Sequence, residues 1–337
     1  MIPALIVFDT TARAQNTALD NDIEELRKRG PSGANDDRII DDWLTIQFDK
    51  LTGGDDAARA REQFMHELDR LRNAPESTER FTEALAKRLG AGIKTELEKA
   101  PPPPTARAET MVLALIEADD QRTAPGLTAA LKFPAVSVRY LGAKGLQRIR
   151  DSLSTNPINE VRHVVRVLGD VGATEANAVV VERIYRAMSF ANPDAEVFGA
   201  IAQVLQGRVQ RYRDGAALDD TAESAILDYL SGRQTSAQQA APIIRELAAL
   251  LRLDVERYDR QNLQPRARDS IERRIDMCES AIERITGLTG GDVRGVMKQG
   301  GAGVAPAMKL ELFKWTGTQR EAGALNAAPW NVAREAP

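Results

Sequence analysis

Cysteine occurs once in the 337 residues, at Cys278, which excludes a disulfide within the chain and any cysteine-based metal site. Histidine occurs twice, and His66 and His163 stand too far apart in sequence to suggest a shared metal. Aromatic residues make up only 5% and long β-branched runs are missing, so little in the chain favours a sheet. No apolar run reaches the about 18 residues that a membrane-spanning helix needs. A large excess of charge of one sign is missing too. A formal charge of −4 and a pI near 5.5 argue against nucleic acid as the main partner.

What is present suits helices. The hydrophobic fraction of 43% rests largely on Ala, Leu, Val and Ile, and 28% of residues are charged. That mixture predicts an all-α fold of amphipathic helices in close contact. The length allows two ordinary domains or one extended repeat array. A repetition favours the array: Asn156-Pro157-Ile158-Asn159-Glu160-Val161 returns 36 residues on as Asn192-Pro193-Asp194-Ala195-Glu196-Val197. A helical apolar stripe follows each copy, Val164, Val165, Leu168 in one and Ala200, Ile201, Val204 in the other. Repetition at about this period marks an α-solenoid of helix pairs, in which each unit buries its apolar face against its neighbours. Asn156 and Asn192 are the expected N-caps, with Pro157 and Pro193 at the first helical position, where the missing N–H costs nothing. Pro134 opens a third unit. It lies only 23 residues before Pro157, too short for a full helix pair, so the array is irregular there.

Along the chain, residues 1–16 carry a short apolar run, Ala4 to Phe8, and then Ala12-Arg13-Ala14, the small-x-small form of a signal-peptidase site. A complete signal needs a basic start and an apolar stretch of roughly 7–15 residues. Two readings stand: a buried first strand or frayed start in a cytoplasmic protein, or the remnant of an export signal in a periplasmic one. Residues 17–100 predict an acidic helical segment, and the prolines within 101–105 a stiff joint. The repeat array follows over 106–288. Within it Ile271, Ile275, Cys278, Ile282 and Ile285 recur in steps of four and three, the seam of a helix packed on a neighbour. Residues 289–337 are glycine-rich and read as a loosely ordered tail that docks locally through Phe313, Trp315 and Trp330.

Two segments carry a resemblance. Pro134-Ala135-Val136-Ser137-Val138-Arg139-Tyr140-Leu141-Gly142 and Pro157 through Val161-Arg162 to Leu168-Gly169-Asp170 resemble the HEAT-repeat signature of armadillo/HEAT-type helical arrays, in which Val-Arg opens a helix and Leu-Gly closes it. The likeness covers about residues 106–260. It departs at the third unit, where Phe198 stands in place of the arginine. The resemblance implies a right-handed superhelix and a non-catalytic scaffold or adaptor that binds a protein or peptide. It also implies that Arg139 and Arg162 reach acidic or carbonyl groups of an adjacent unit. Asp151 and Asp170 are the expected partners, and loss of Arg162 is expected to cost about 1–3 kcal/mol. The enzyme alternatives in such a family are lyases and hydroxylases; a nucleic-acid-binding array is the other.

Candidate chemistry is thin. His66-Glu67 is a single pair, whereas a di-iron site needs several such ligands. Gly300-Gly301-Ala302-Gly303 lacks the spacing and the strand of a phosphate loop and reads as a linker. Cys278 on the helix seam reads as a buried, inert thiol. No catalytic, cofactor or metal residue is therefore assigned. The candidate binding surface is Glu182, Arg183, Arg186, Arg208, Arg211 and Arg213. A second basic cluster, Arg266, Arg268, Arg273 and Arg274, is interleaved with carboxylates and reads as a solvated helix face.

Overall fold

The computed structural model describes residues 7–51, 57–155, 157–216, 222–232, 236–260, 263–301 and 303–334, with side chains from 18 onward except that of Ala57. Among these residues there is no strand, and the fold is all-α. The helices are α1 (Val7–Arg29), α2 (Ala34–Lys50), α3 (Ala57–Asn73), α4 (Glu79–Leu97), α5 (Thr105–Ala118), α6 (Ala124–Ala130), α7 (Val136–Leu153), α8 (Ile158–Thr174), α9 (Ala178–Ala187), α10 (Ala195–Arg213), α11 (Ser224–Ser231), α12 (Ala237–Tyr258), α13 (Pro265–Thr286), α14 (Val293–Gln299) and α15 (Val304–Thr316). They form two compact units, Met1–Thr155 and Asn156–Pro337.

In the first unit α2 packs on α4 and α4 on α6, while α3 packs on α5 and α5 on α7. From α2 to α7 each helix thus packs on the next but one, while α1 packs on α2 and α4. Apolar residues at helical spacing make this possible: Ile40, Trp43 and Leu44 of α2 and Phe81, Leu85, Leu89 and Ile93 of α4 are all buried. The α4–α6 contact is tight where a Cβ on Gly126 would stand 2.9 Å from the Gly90 carbonyl oxygen, and a Cβ on Gly90 would stand 2.7 Å from the Arg122 carbonyl oxygen in the turn before α6. Val7 and Phe8, expected in a strand or a frayed start, open α1. Residues 1–6 lie outside the described residues, and Ala12-Arg13-Ala14 lies on α1 where side chains are not described.

The proline run does separate helices, ending α4 and preceding α5, but it is no domain joint. Both flanks belong to one unit, α4 packs on α5, and Arg107 spans the run to Glu96 at 3.0 Å. The boundary falls instead after Thr155. Prolines stop helices through local sterics, whereas a domain boundary depends on which apolar faces meet.

In the second unit α8 packs on α10, α10 on α12 and α12 on α15; α9 packs on α11, α11 on α13 and α13 on α14. The helices that follow the two copies of the repeated motif therefore lie side by side. The stripes Val164, Val165, Leu168 and Ala200, Ile201, Val204 are buried. The caps differ from expectation. α10 begins at Ala195, and its N-cap is Asp194, whose carboxylate accepts from the backbone N–H of Glu196 at 3.0 Å and Val197 at 3.1 Å. Asn192 and Pro193 precede it, because the carboxylate nearer the free N–H groups satisfies them and also favours the helix's positive end. Pro157 occupies the N-cap position of α8 and Asn156 lies outside the described residues. Pro134 sits two residues before α7, with Ala135 at the cap.

Residues 289–337 are not a loose tail as far as they are described. After α15 the chain folds back: the Leu325 N–H donates to the Trp315 carbonyl at 2.9 Å, and the Asn326 amide donates to the carbonyls of Thr316 and Val332 at 2.9 and 2.8 Å. Trp315, Leu325 and Trp330 are buried and Phe313 is half-buried. Several of these glycines mark close packing: a Cβ on Gly290 would enter the Trp315 ring.

Candidate functional site

The five arginines of the expected binding surface do not form one patch. Arg183 and Arg186 lie on α9, whose Val180, Val181, Ile184 and Tyr185 face the core. Asn177 caps that helix, accepting from the N–H groups of Val179 and Val180. Arg186 is exposed and pairs with Glu182 at 2.9 Å, and Arg183 is half-buried. Arg213 is exposed on the last turn of α10. Arg208 is only 3% exposed, so it belongs to no surface.

Arg208 instead joins a buried ionic cluster that sequence reasoning missed. Its guanidinium donates to Glu223 at 2.8 Å and to the Tyr212 hydroxyl at 2.6 Å. Arg274 of α13 donates twice to Asp254 of α12, at 2.8 and 2.5 Å. Both guanidinium groups sit 5.0 Å from the Tyr212 ring centre, a cation–π arrangement strengthened by the absence of water. Burial opposes the Arg274 charge, but Asp254 outweighs it and holds the guanidinium pKa above its ordinary value. Burial also pushes the Cys278 thiol well up, with Asp254 adding to the effect, so this sulfur is a poor nucleophile. Paired charges tie α10 to the cap of α11 and α12 to α13, and the Tyr212 ring under Arg274 joins α10 to α13. The cluster's partners are 15 and 20 residues apart along the chain, outside any helical spacing, and so left no local signal.

A second set of arginines closes helix ends. Arg72 of α3 donates to the carbonyls of Glu117 and Ala118 at the end of α5. Arg211 of α10 donates to the Thr174 carbonyl at the end of α8, and Arg257 of α12 to the carbonyls of Tyr212 and Ala216 at the end of α10, both at 3.0 Å. Each sits in the last turn of its helix and neutralises the carbonyl-rich end of the helix packed beside it. Arg211, expected to contact a partner, is therefore engaged structurally. Its visible sequence signal is only an arginine one or two positions before a helix end.

Arg162 does pair across to the next copy of the motif, but with Asp194 at 3.1 Å and Glu196 at 3.5 Å rather than Asp151 or Asp170. Arg166 joins Glu196 at 2.8 Å, and Asp170 accepts from Gln203 at 3.0 Å. Arg139 turns back to the carbonyls of Phe133 and Pro134, at 3.1 and 2.6 Å, just before its own helix. In the second basic cluster, Arg274 is buried and Arg268 lies 5.0 Å from the Tyr258 ring, while Arg266 and Arg273 are exposed. His66 is exposed on α3 and Glu67 is committed to Arg70. Among the described residues no group of three His, Cys, Asp or Glu side chains is placed to hold a metal ion, and no helix is long and apolar enough to cross a membrane. Gly300 ends α14 and Gly303 precedes α15, so this glycine stretch links two helices.

No family model, no curated protein and no solved structure matches the chain.

Proposed function

We propose that the chain is a HEAT-like α-solenoid, irregular and right-handed, that works as a non-catalytic scaffold or adaptor for a protein or peptide. The observation that carries this reading is the direct packing of α8 on α10, the helices that follow the two copies of the motif. Next-but-one packing within each unit supports it, since a stack of helix pairs buries each helix against its equivalents on either side. The recurring arginine closure of a neighbouring helix end supports it further. The contact surface assigned to the partner is the solvent-facing side of α9, with Glu182, Arg183, Arg186 and the exposed Val179. A mixed charged rim around an apolar residue suits a polar, modest-sized interface.

The test is affinity purification from native extract with the wild-type chain and with an Arg183→Glu/Arg186→Glu variant, quantified by mass spectrometry. A protein held by the wild type and lost by the variant supports the reading. Equal recovery of every protein by both would overturn the assignment of this surface.

A further inference from the structure

We propose that the face of α12 carrying Arg245 and Arg252 is a docking site for a peptide with an aromatic residue, then Asn or Gly, then a β-branched residue. Residues 327–334 of the chain are its built-in occupant, which such a partner displaces. The α9 surface takes no part in this site, so either assignment can fail without the other.

After α15 the chain divides into a fixed base and an arm. The base is residues 324–326. The Ala324 and Leu325 N–H groups donate to the carbonyls of Lys314 and Trp315 at 2.8 and 2.9 Å, and the Asn326 amide donates to that of Thr316 at 2.9 Å. The arm, residues 327–334, contains no helix or strand. Two arginines of α12 hold it: Arg245 Nε donates to the Trp330 carbonyl at 2.9 Å and Arg252 to the Ala333 carbonyl at 3.4 Å. These arginines lie seven residues apart, about 10.5 Å along one face of the helix. Three residues of chain reach about 10 Å, so the two carbonyls can meet both donors. Both contacts are to main-chain oxygens, which any peptide offers.

Selectivity comes from two anchors. Trp330 and Val332 are buried, at 6% and 9% exposed, whereas Ala327, Ala328, Asn331, Ala333 and Arg334 stand in water and Pro329 is half-buried. Asn331, between the anchors, has φ 48, in the left-handed region that Gly and Asn enter most readily. A repeat that caps a solenoid buries a whole helix face against its neighbour. Here two side chains enter around one left-handed residue and the rest stays solvated, which is the pattern of a docked peptide. Lifting the arm uncovers the seat of the indole, and an aromatic side chain of similar size covers it again.

The experiment is a fluorescence-anisotropy titration of the full chain, wild type and Trp330→Ala, into a labelled peptide of residues 327–334. Trp330→Ala withdraws the built-in competitor and is expected to bind the peptide with a Kd below about 100 μM. The wild-type chain carries its own arm at an effective concentration on the order of millimolar, and is expected to bind at least about tenfold more weakly. Adding Arg245→Ala to Trp330→Ala is expected to raise the Kd about tenfold, as for loss of a charge-assisted hydrogen bond. Should Trp330→Ala fail to fold, Val332→Ala takes its place with the same expectations. Hydrogen exchange on the wild-type chain separates a displaceable arm from a permanent cap. The Val332 amide, bonded to the Leu325 carbonyl, is expected to exchange at least about tenfold faster than the Leu325 amide, bonded to Trp315. No peptide binding by the anchor variant, equal binding by wild type, an unchanged Kd on adding Arg245→Ala, or joint exchange of the two amides would overturn the proposal.

Discussion

The Arg274 guanidinium grips Asp254 through two hydrogen bonds, and neither side chain keeps more than 2% of its surface in water. Removing one partner strands the other's charge. Asp254→Asn is therefore expected to cost about 3–5 kcal/mol in urea denaturation, the range for a broken buried pair. Replacing both, as Asp254→Leu with Arg274→Met, is expected to recover most of that loss, because desolvation is then no longer opposed by a lone charge. A cost under about 1 kcal/mol for Asp254→Asn would mean that water reaches the pair.

Two glycines on α10 give opposite expectations. A Cβ on Gly207 would stand 2.1 Å from the Ala173 carbonyl oxygen of α8, so Gly207→Ala must push the helices apart. A loss of about 1–3 kcal/mol is expected, as for overpacking. Gly199, eight residues earlier on the same helix, faces open space. Gly199→Ala is expected to stabilise the chain by roughly 0.5–1 kcal/mol through backbone entropy alone. Thermal melts of the two variants check both signs, and equal effects would contradict the close α8–α10 approach.

Asp36 gives a pH dependence. Arg29 donates to both of its oxygens, at 2.9 and 2.7 Å, and the Ser32 N–H donates at 2.7 Å. These bonds hold the carboxyl well below the usual carboxylate range, the Arg29 contact first and the Ser32 N–H second. A carboxyl depressed in the folded state contributes stability above its unfolded value, about pH 4, and loses it as pH falls towards the folded one. Asp36→Asn is expected to be less stable than wild type at neutral pH, with the gap closing on acidification. A gap that stays constant from pH 7 to about pH 2 would show that the charge has no part in it.

Arg162→Ala is expected to cost less than its sequence context suggests. The arginine side chain is 44% exposed and Asp194 is 32% exposed, so water and salt screen the pair. The loss should fall below about 1 kcal/mol and shrink further at high salt, read from denaturation midpoints. A larger, salt-insensitive loss would restore the figure drawn from the repeat signature.

Helical content and the packing of repeated segments were legible because they depend on local periodicity. Ile271, Ile275, Cys278 and Ile282 share the buried seam their spacing predicts, with Ile285 half-buried at its end. The α8 and α10 stripes are buried for the same reason. What stayed hidden depends on pairings distant in sequence. Arg208 looked like a surface cation until Glu223 and Tyr212 were seen around it. The proline run looked like a stiff joint because proline reports backbone restriction, and nothing about which helices embrace across it. Gly290, Gly317 and Gly323 looked like slack, whereas Trp315 and Asn326 leave no room for a Cβ at any of them; Gly300, Gly301 and Gly303 do face open space.

The Trp315 indole, wholly enclosed and donating to the Glu279 carboxylate at 2.9 Å, has a spectroscopic consequence. Trp43 is the single indole of the first unit, while Trp315 and Trp330 belong to the second. Fluorescence of a Trp43→Phe variant therefore reports the melting of the second unit alone, and a Trp315→Phe/Trp330→Phe variant that of the first. One pair of emission traces then distinguishes a chain that melts in concert from one that comes apart half by half.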